Sequence, residues 1–294
     1  MARRKVIWHI GPADPGTAFI APALAHAAEE LAALDIAVPN GPWYEIEDQI
    51  WKHKGTSLLS TPDISRADAD RIALRLTGLR DLEVHLVVLS RDLPTQVHAS
   101  WQAGLQHGST TSLKKYTERI TDADRSHWQA EEFWAGHDVG RILTSWTRAI
   151  HAERVHVIAT EPDADDNWRA LLDLAGAGQI ARPAGFVAPA LRAELDPEWV
   201  LDVTTAWAKL IAERGFDLRG QLIGASAAAA AAPASRSAQL DAVAEMLTAI
   251  TAEVERLRAE VAGLRKENAR LDGKRLKHKR RAARFAAELA ATDD

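Results

Sequence analysis

The chain has 294 residues, 47% of them hydrophobic and 26% charged, a composition that fits a globular protein with one main domain and an extension. It has no cysteine, which excludes disulfides and thiolate metal sites, and no apolar run long enough to span a membrane. The net charge of −5 is uneven: residues 225–294 carry 13 Lys/Arg against 10 Asp/Glu and the rest 23 against 31, so the acidic body is a poor general binder of nucleic acid. Met1 to Lys5 is basic, but the apolar run behind it is too short for a signal peptide, so a cytoplasmic setting is expected.

Residues 6–10 are apolar and rich in β-branched side chains, and predict a buried strand. A Gly/Pro loop follows, and then an Ala-rich helix over 17–34. Strand, glycine loop and helix in that order set backbone N–H groups at a helix N-terminus, where proteins hold phosphates. The loop itself reads His9-Ile10-Gly11-Pro12-Ala13-Asp14-Pro15-Gly16-Thr17-Ala18.

This stretch resembles the 5′-phosphosulfate loop of PAPS-dependent sulfotransferases, in a bacterial sulfotransferase-like group whose pattern is His-x-Gly-x-Pro-Lys-Thr-Gly-Thr-Thr. His9, Gly11, Gly16 and Thr17 match, whereas the lysine falls on Asp14, the next threonine on Pro15 and the last on Ala18. The resemblance implies a P-loop-like α/β fold with a central parallel sheet flanked by helices, and sulfuryl transfer from PAPS to a hydroxyl. It also implies a cofactor, PAPS or its product PAP, on Gly11, Gly16, Thr17 and Ala18, with no metal. The substitutions have a reading of their own: Asp14 is a strong helix N-cap and Pro15 is suited to the first helical position. The loop then either starts a plain helix or binds a nucleotide weakly or in a different way.

Residues 43–54 predict a short helix and 56–60 a second strand. In the family this strand ends in Ser-x-Glu with the glutamate a candidate base; here the residues are Ser60-Thr61-Pro62-Asp63, so Asp63 is the candidate catalytic residue, one position late. Alternatively Asp63 and Ser65 cap a helix over 66–79. Residues 82–90 are the clearest strand, and Arg91 follows them. The family places an Arg here and a Ser about eight residues on, both on the cofactor 3′-phosphate, which a guanidinium fork suits. Arg91 is retained; the serine position is Ala99, with Ser100 beside it. Arg91 alternatively pairs with Asp92 or caps the strand end.

His107, before Gly108, reads as a helix C-terminal cap rather than a base. An amphipathic helix is predicted over 138–150 with Val139, Ile142, Leu143 and Trp146 on one side, and Asp138 as its N-terminal charge. Residues 154–159 form the last predicted strand of the parallel sheet. The acidic run Glu161 to Asp166 lacks the turn glycine and final glutamate of an EF-hand, so it reads as a solvated helix start before Trp168. A helix over 196–214 and the segment 214–222 close the α/β domain, whose resemblance to the family spans residues 6–222. The 10 Trp residues sit mostly at apolar-periodic positions and read as core.

The domain is expected over 1–224, an Ala/Ser/Pro linker over 225–237, and a coiled-coil helix with a basic end over 238–290. Leu240, Leu247, Val254, Val261 and Asn268 recur every seven residues, as do Val243, Ile250, Leu257, Leu264 and Leu271. β-branched residues at one position, Leu at the other and a single Asn specify a parallel two-stranded coil, so a homodimer through 240–271 is expected. Glu253 with Arg258 and Glu260 with Arg265 suit that pairing, while Glu267 with Asp272 does not. The basic run 274–284 lies after the zipper, unlike the basic-zipper DNA readers, and reads as a solvated helix. Two functions stand on this reading: a sulfotransferase with weak or lost activity, or a non-catalytic dimeric scaffold or binding module on the same fold.

Overall fold

The computed structural model describes residues 4–12, 19–159, 164–184 and 192–222, together with Arg258, Val261 and Gly263. The chain divides into two compact units, Met1–Ala231 and Ala232–Asp294. In the second unit the three described residues are helical, and Val261 is exposed on the single chain. The linker, the remaining zipper positions and the basic run lie outside the described residues.

The described residues of the first unit form six strands, all pairs parallel, in the order β2-β3-β1-β4-β5-β6. They are β1 (Lys5–Gly11), β2 (Ile36–Ala37), β3 (Thr56–Ser60), β4 (Glu83–Ser90), β5 (Val155–Ala159) and β6 (Asp217–Gly220). Central parallel strands are buried on both faces, which is why β1, β4 and β5 are nearly continuous apolar runs. Alternate side chains then divide between two cores. Val6, Trp8, Ile10, Leu86, Val88 and Val157 pack on one face with Ile46, Ile50, Ile72, Val97, Trp146 and Trp207. Ile7, Leu58, Val87, Leu89 and Ile158 pack on the other with Ile20, Leu24, Leu31, Trp168 and Leu172.

The helices of the first face are α3 (Trp43–Lys52), α4 (Ala69–Gly78), α5 (Leu93–Gln106), α6 (Leu113–Thr121), α7 (Trp128–His137), α8 (Val139–Trp146) and α10 (Pro197–Arg214). Those of the second are α1 (Ile20–His26), α2 (Ala28–Ala32) and α9 (Ala164–Asp173). From β1 the chain moves to the β2 edge, returns through β3, and then steps past β1 to β4, β5 and β6. The direction of winding therefore reverses around β1, and in open α/β sheets ligands enter at the carboxyl ends of strands beside such a reversal.

Several elements differ from the sequence expectation. The helix over 17–34 is interrupted at Ala27 within its described part, giving α1 and α2. A two-residue edge strand, β2, precedes α3. Asp63 and Ser65 do not cap α4: residues Pro62–Arg66 form a 3-10 turn, and Asp68 caps α4 by accepting from Arg71 N–H at 2.8 Å. β5 is not the last strand, because Asp217–Gly220 adds β6 beside it. Asp138 does cap α8 through Arg141 N–H, and its carboxylate also accepts from Trp207 Nε1 at 3.1 Å.

Candidate functional site

The carboxyl ends of β1, β3 and β4 meet at the reversal, and their last residues turn from apolar to polar. His9 is fully buried and faces Ser60 across the β1–β3 ladder, with its Nδ1 2.8 Å from Ser60 Oγ. Burial pushes the His9 pKa from 6.5 down to about 4, against a backbone hydrogen bond with Gly11 that works the other way. The imidazole is therefore neutral at pH 7, and its Nε2 has no hydrogen-bond partner. Gly11 next to it has φ +144°, and a Cβ added there would stand 2.6 Å from Ser65 Cβ. The 3-10 turn carrying Ser65 thus seals one side of the strand end. Thr61 N–H, donating to His9 C=O at 2.9 Å, and Trp8 Nε1, donating to Thr61 Oγ1 at 2.7 Å, pin that turn in place.

β4 ends beside it in Ser90-Arg91-Asp92. Ser90 is buried and its Oγ makes no hydrogen bond. Arg91 is only 5% exposed. Asp92 caps α5 by accepting from Thr95 N–H at 3.1 Å and pairs with Arg192 at 3.1 Å. A buried polar atom left unmade costs about 1–3 kcal/mol, so two of them at adjacent strand ends call for an explanation. A ligand that completes them is one.

Of the residues expected from sequence, Gly11 and Arg91 lie at the ends of neighbouring strands. Asp14, Gly16, Thr17 and Ala18 lie outside the described residues. Ser100 is further along α5, with its Oγ 2.9 Å from Tyr116 Oη. That phenol is buried, which pushes its pKa up to about 12. Ala99, at the expected serine position, is fully buried. Asp63 is exposed on its 3-10 turn. His107 caps the end of α5, with Nδ1 2.8 Å from Ala103 C=O, as expected. Sequence reasoning misses the unpartnered nitrogen of His9, the hydroxyl of Ser90 and the Asp92–Arg192 pair. Only the burial of residue 9 within a strand could single out the first of them.

Of the residues the resemblance assigns to PAPS, Gly11, Arg91 and Ser100 are among the described residues, while Gly16, Thr17 and Ala18 are not. The hydroxyl of Ser100 is engaged with Tyr116, Ala99 offers none, and Arg91 is almost fully covered by protein. The sequence adds a carboxylate, Asp14, where the family carries its lysine. Among the described residues no group of three or more His, Cys, Asp or Glu is placed to hold a metal ion, and no helix is long and apolar enough to cross a membrane.

The fold is that of an α/β protein with an all-parallel sheet whose winding reverses at β1, with buried polar side chains at the strand ends beside the reversal. No protein-family model and no curated protein matches the chain. Among solved structures it is similar to a sulfotransferase from Alicyclobacillus acidocaldarius, at 15% identity and a TM-score of 0.47, over 74% of this chain and 98% of that one. That likeness is one of fold and says nothing of activity.

Proposed function

We propose that the protein is a ligand-binding member of the sulfotransferase fold in which sulfuryl transfer from PAPS is weak or lost. The observation that carries this reading is His9 Nε2, a buried polar atom without a hydrogen-bond partner near the carboxyl end of β1, where the winding of the sheet reverses. That nitrogen can bond a small polar ligand that enters at the strand ends. Neutral His9, oriented by Ser60, offers its outer nitrogen as a hydrogen-bond donor or acceptor according to tautomer.

Loss of transfer follows from charge. Transfer of a sulfuryl group depends on neutralising negative charge as it moves, as phosphoryl transfer does. At an effective dielectric near 20, a unit charge about 4 Å away contributes about 4 kcal/mol, and exchanging lysine for Asp14 reverses the sign. A loss of about 4 kcal/mol turns a micromolar ligand into a millimolar one. A transfer assay with PAPS and a panel of phenols and alcohols tests the reading: turnover at the uncatalysed background is expected, and turnover well above it would overturn the loss of activity.

The heptads of the second unit support a parallel homodimer through 240–271, which gives two copies of the site in a dimeric binding module. Sedimentation of the protein truncated after Leu222 is expected to give a monomer and the full chain a dimer. A truncated form that stays dimeric would remove the zipper from the account.

A further inference from the structure

On the α1, α2 and α9 face, at the opposite ends of the same strands, four side chains run in line. Glu83 Oε1 is 3.0 Å from His85 Nε2, His85 Nδ1 is 2.9 Å from His156 Nε2, and His156 Nδ1 is 2.7 Å from Asp217 Oδ2. The two imidazoles are within 8° of parallel with centroids 5.2 Å apart, the separation of rings joined nitrogen to nitrogen in one plane. All three contacts are at hydrogen-bond distance, and each needs one proton.

Two ionised carboxylates and two neutral imidazoles supply only two protons. With both on the outer nitrogens, the lone pairs of His85 Nδ1 and His156 Nε2 face each other at 2.9 Å. With either proton moved inward, a lone pair faces a carboxylate instead. Only a third proton makes every contact a bond.

We propose that His85 and His156 form a proton-binding site that takes one proton between its two rings and refuses a second. Uptake of the proton from solvent forms the Nδ1–H···Nε2 bond, breaks no covalent bond, and changes the charge of the four groups from −2 to −1. Glu83 and Asp217 hold the shared charge at both ends.

Every packed element bears on the balance. Lys5 on β1 donates to Leu174 C=O at the end of α9, and Arg219 on β6 donates from Nε to Asp217 Oδ2 at 3.0 Å. Arg154 precedes β5 and acts on Glu83. α9 adds Arg169 and Asp173, which line one cavity with Arg219. Burial first, then Lys5 and the partner ring, hold His85 below the ordinary histidine value, with Glu83 opposing. Burial likewise lowers His156, with Asp217 opposing and Arg219 and Lys5 adding to the fall. Two imidazolium ions side by side are thereby excluded, whereas one charge spread over two rings and flanked by two carboxylates is accommodated. Bound, the proton links β4 through β5 to the edge strand β6. Released, it leaves the two rings to part and the link to open between β4 and β5, which makes the site a pH-sensitive tie across the sheet.

Side-chain nitrogen NMR of the full chain, labelled at histidine and titrated downward from about pH 8, tests this. The His85 and His156 signals are expected to move together, with one midpoint below the ordinary histidine value and one proton taken up for two rings. In Asp217→Asn the joint midpoint is expected about one pH unit lower, because the charge that holds the proton is gone. In His85→Gln the joint transition is expected to vanish. Two separate midpoints, uptake of two protons, or no uptake by either ring before unfolding would overturn the proposal on the wild-type protein alone.

Discussion

The two ends of one sheet handle buried polar chemistry in opposite ways. At the amino ends, Glu83, His85, His156, Asp217 and Arg219 stand in a continuous row with every contact at hydrogen-bond distance. At the carboxyl ends, His9 Nε2 and Ser90 Oγ are buried with none. One sheet and one face carry all three histidines, so burial alone does not decide which histidine is used for what. What differs is the neighbourhood: His85 and His156 lie beside carboxylates on their own and adjoining strands, whereas His9 has a serine and a backbone group and no carboxylate partner. A histidine flanked by carboxylates can share a proton along the network, whereas His9 keeps one ring nitrogen without a partner.

The sharpest way to break this contrast is to alter Gly11. Its φ is +144°, and Ser65 Cβ lies 2.6 Å from the point a new Cβ would occupy, so Gly11→Ala is expected to lose roughly 2–4 kcal/mol in urea unfolding, or to prevent folding. A loss below about 0.5 kcal/mol would mean that the strand end is looser than described. Next is the acid limb of stability. The folded His9 pKa lies below its unfolded value of 6.5, so between pH 6.5 and about 4 the unfolded chain takes the proton first. Its contribution is complete above pH 6.5 and is lost as pH falls, by about 3 kcal/mol at the lower limit. Urea melts across that range should show a shallower slope in His9→Asn than in wild type; parallel curves would show that His9 is not held neutral.

Ser60→Ala comes third. It strips the hydroxyl partner from His9 Nδ1 on a ring whose other nitrogen already lacks one, for an expected cost of about 1–2 kcal/mol. At the other end of the sheet Glu83→Gln is expected to cost under about 1 kcal/mol, since its side chain is 33% exposed and water can take its place. If the order of those two costs were reversed, the division into an open end and a closed end would fail.

Much of the fold was legible because its strands are long and apolar. The strands at residues 6–10, 56–60 and 82–90 lie within one residue of β1, β3 and β4 at each end, since parallel strands buried on both faces leave a plain sequence mark. The edges left none. Ile36–Ala37 is too short for any pattern, and Asp217-Leu-Arg-Gly220 is half polar because an edge strand faces solvent. It reads as a strand only once His156 and Asp217 are seen to pair. Local spacing cannot tell a 3-10 turn from a first helical turn, so Asp63 and Ser65 pass in sequence for caps of α4; Ser65 is instead buried against Gly11. The site was less legible than the fold. Glu83 and His85 share a face by alternation, but His156 is 71 residues away from His85 and only the sheet brings them together. His9 was visible as part of a loop pattern, while its unpartnered nitrogen is a property of packing.

Calorimetric titration of 3′,5′-adenosine bisphosphate into the wild-type protein and into Asp14→Lys tests most directly whether a carboxylate at position 14 weakens nucleotide binding by its charge. Weak or undetectable binding is expected for the wild type. A gain of at least about a hundredfold is expected for Asp14→Lys, the part of the roughly 4 kcal/mol sign reversal that survives solvent screening. Micromolar binding by the wild type, unchanged in Asp14→Lys, would contradict the account.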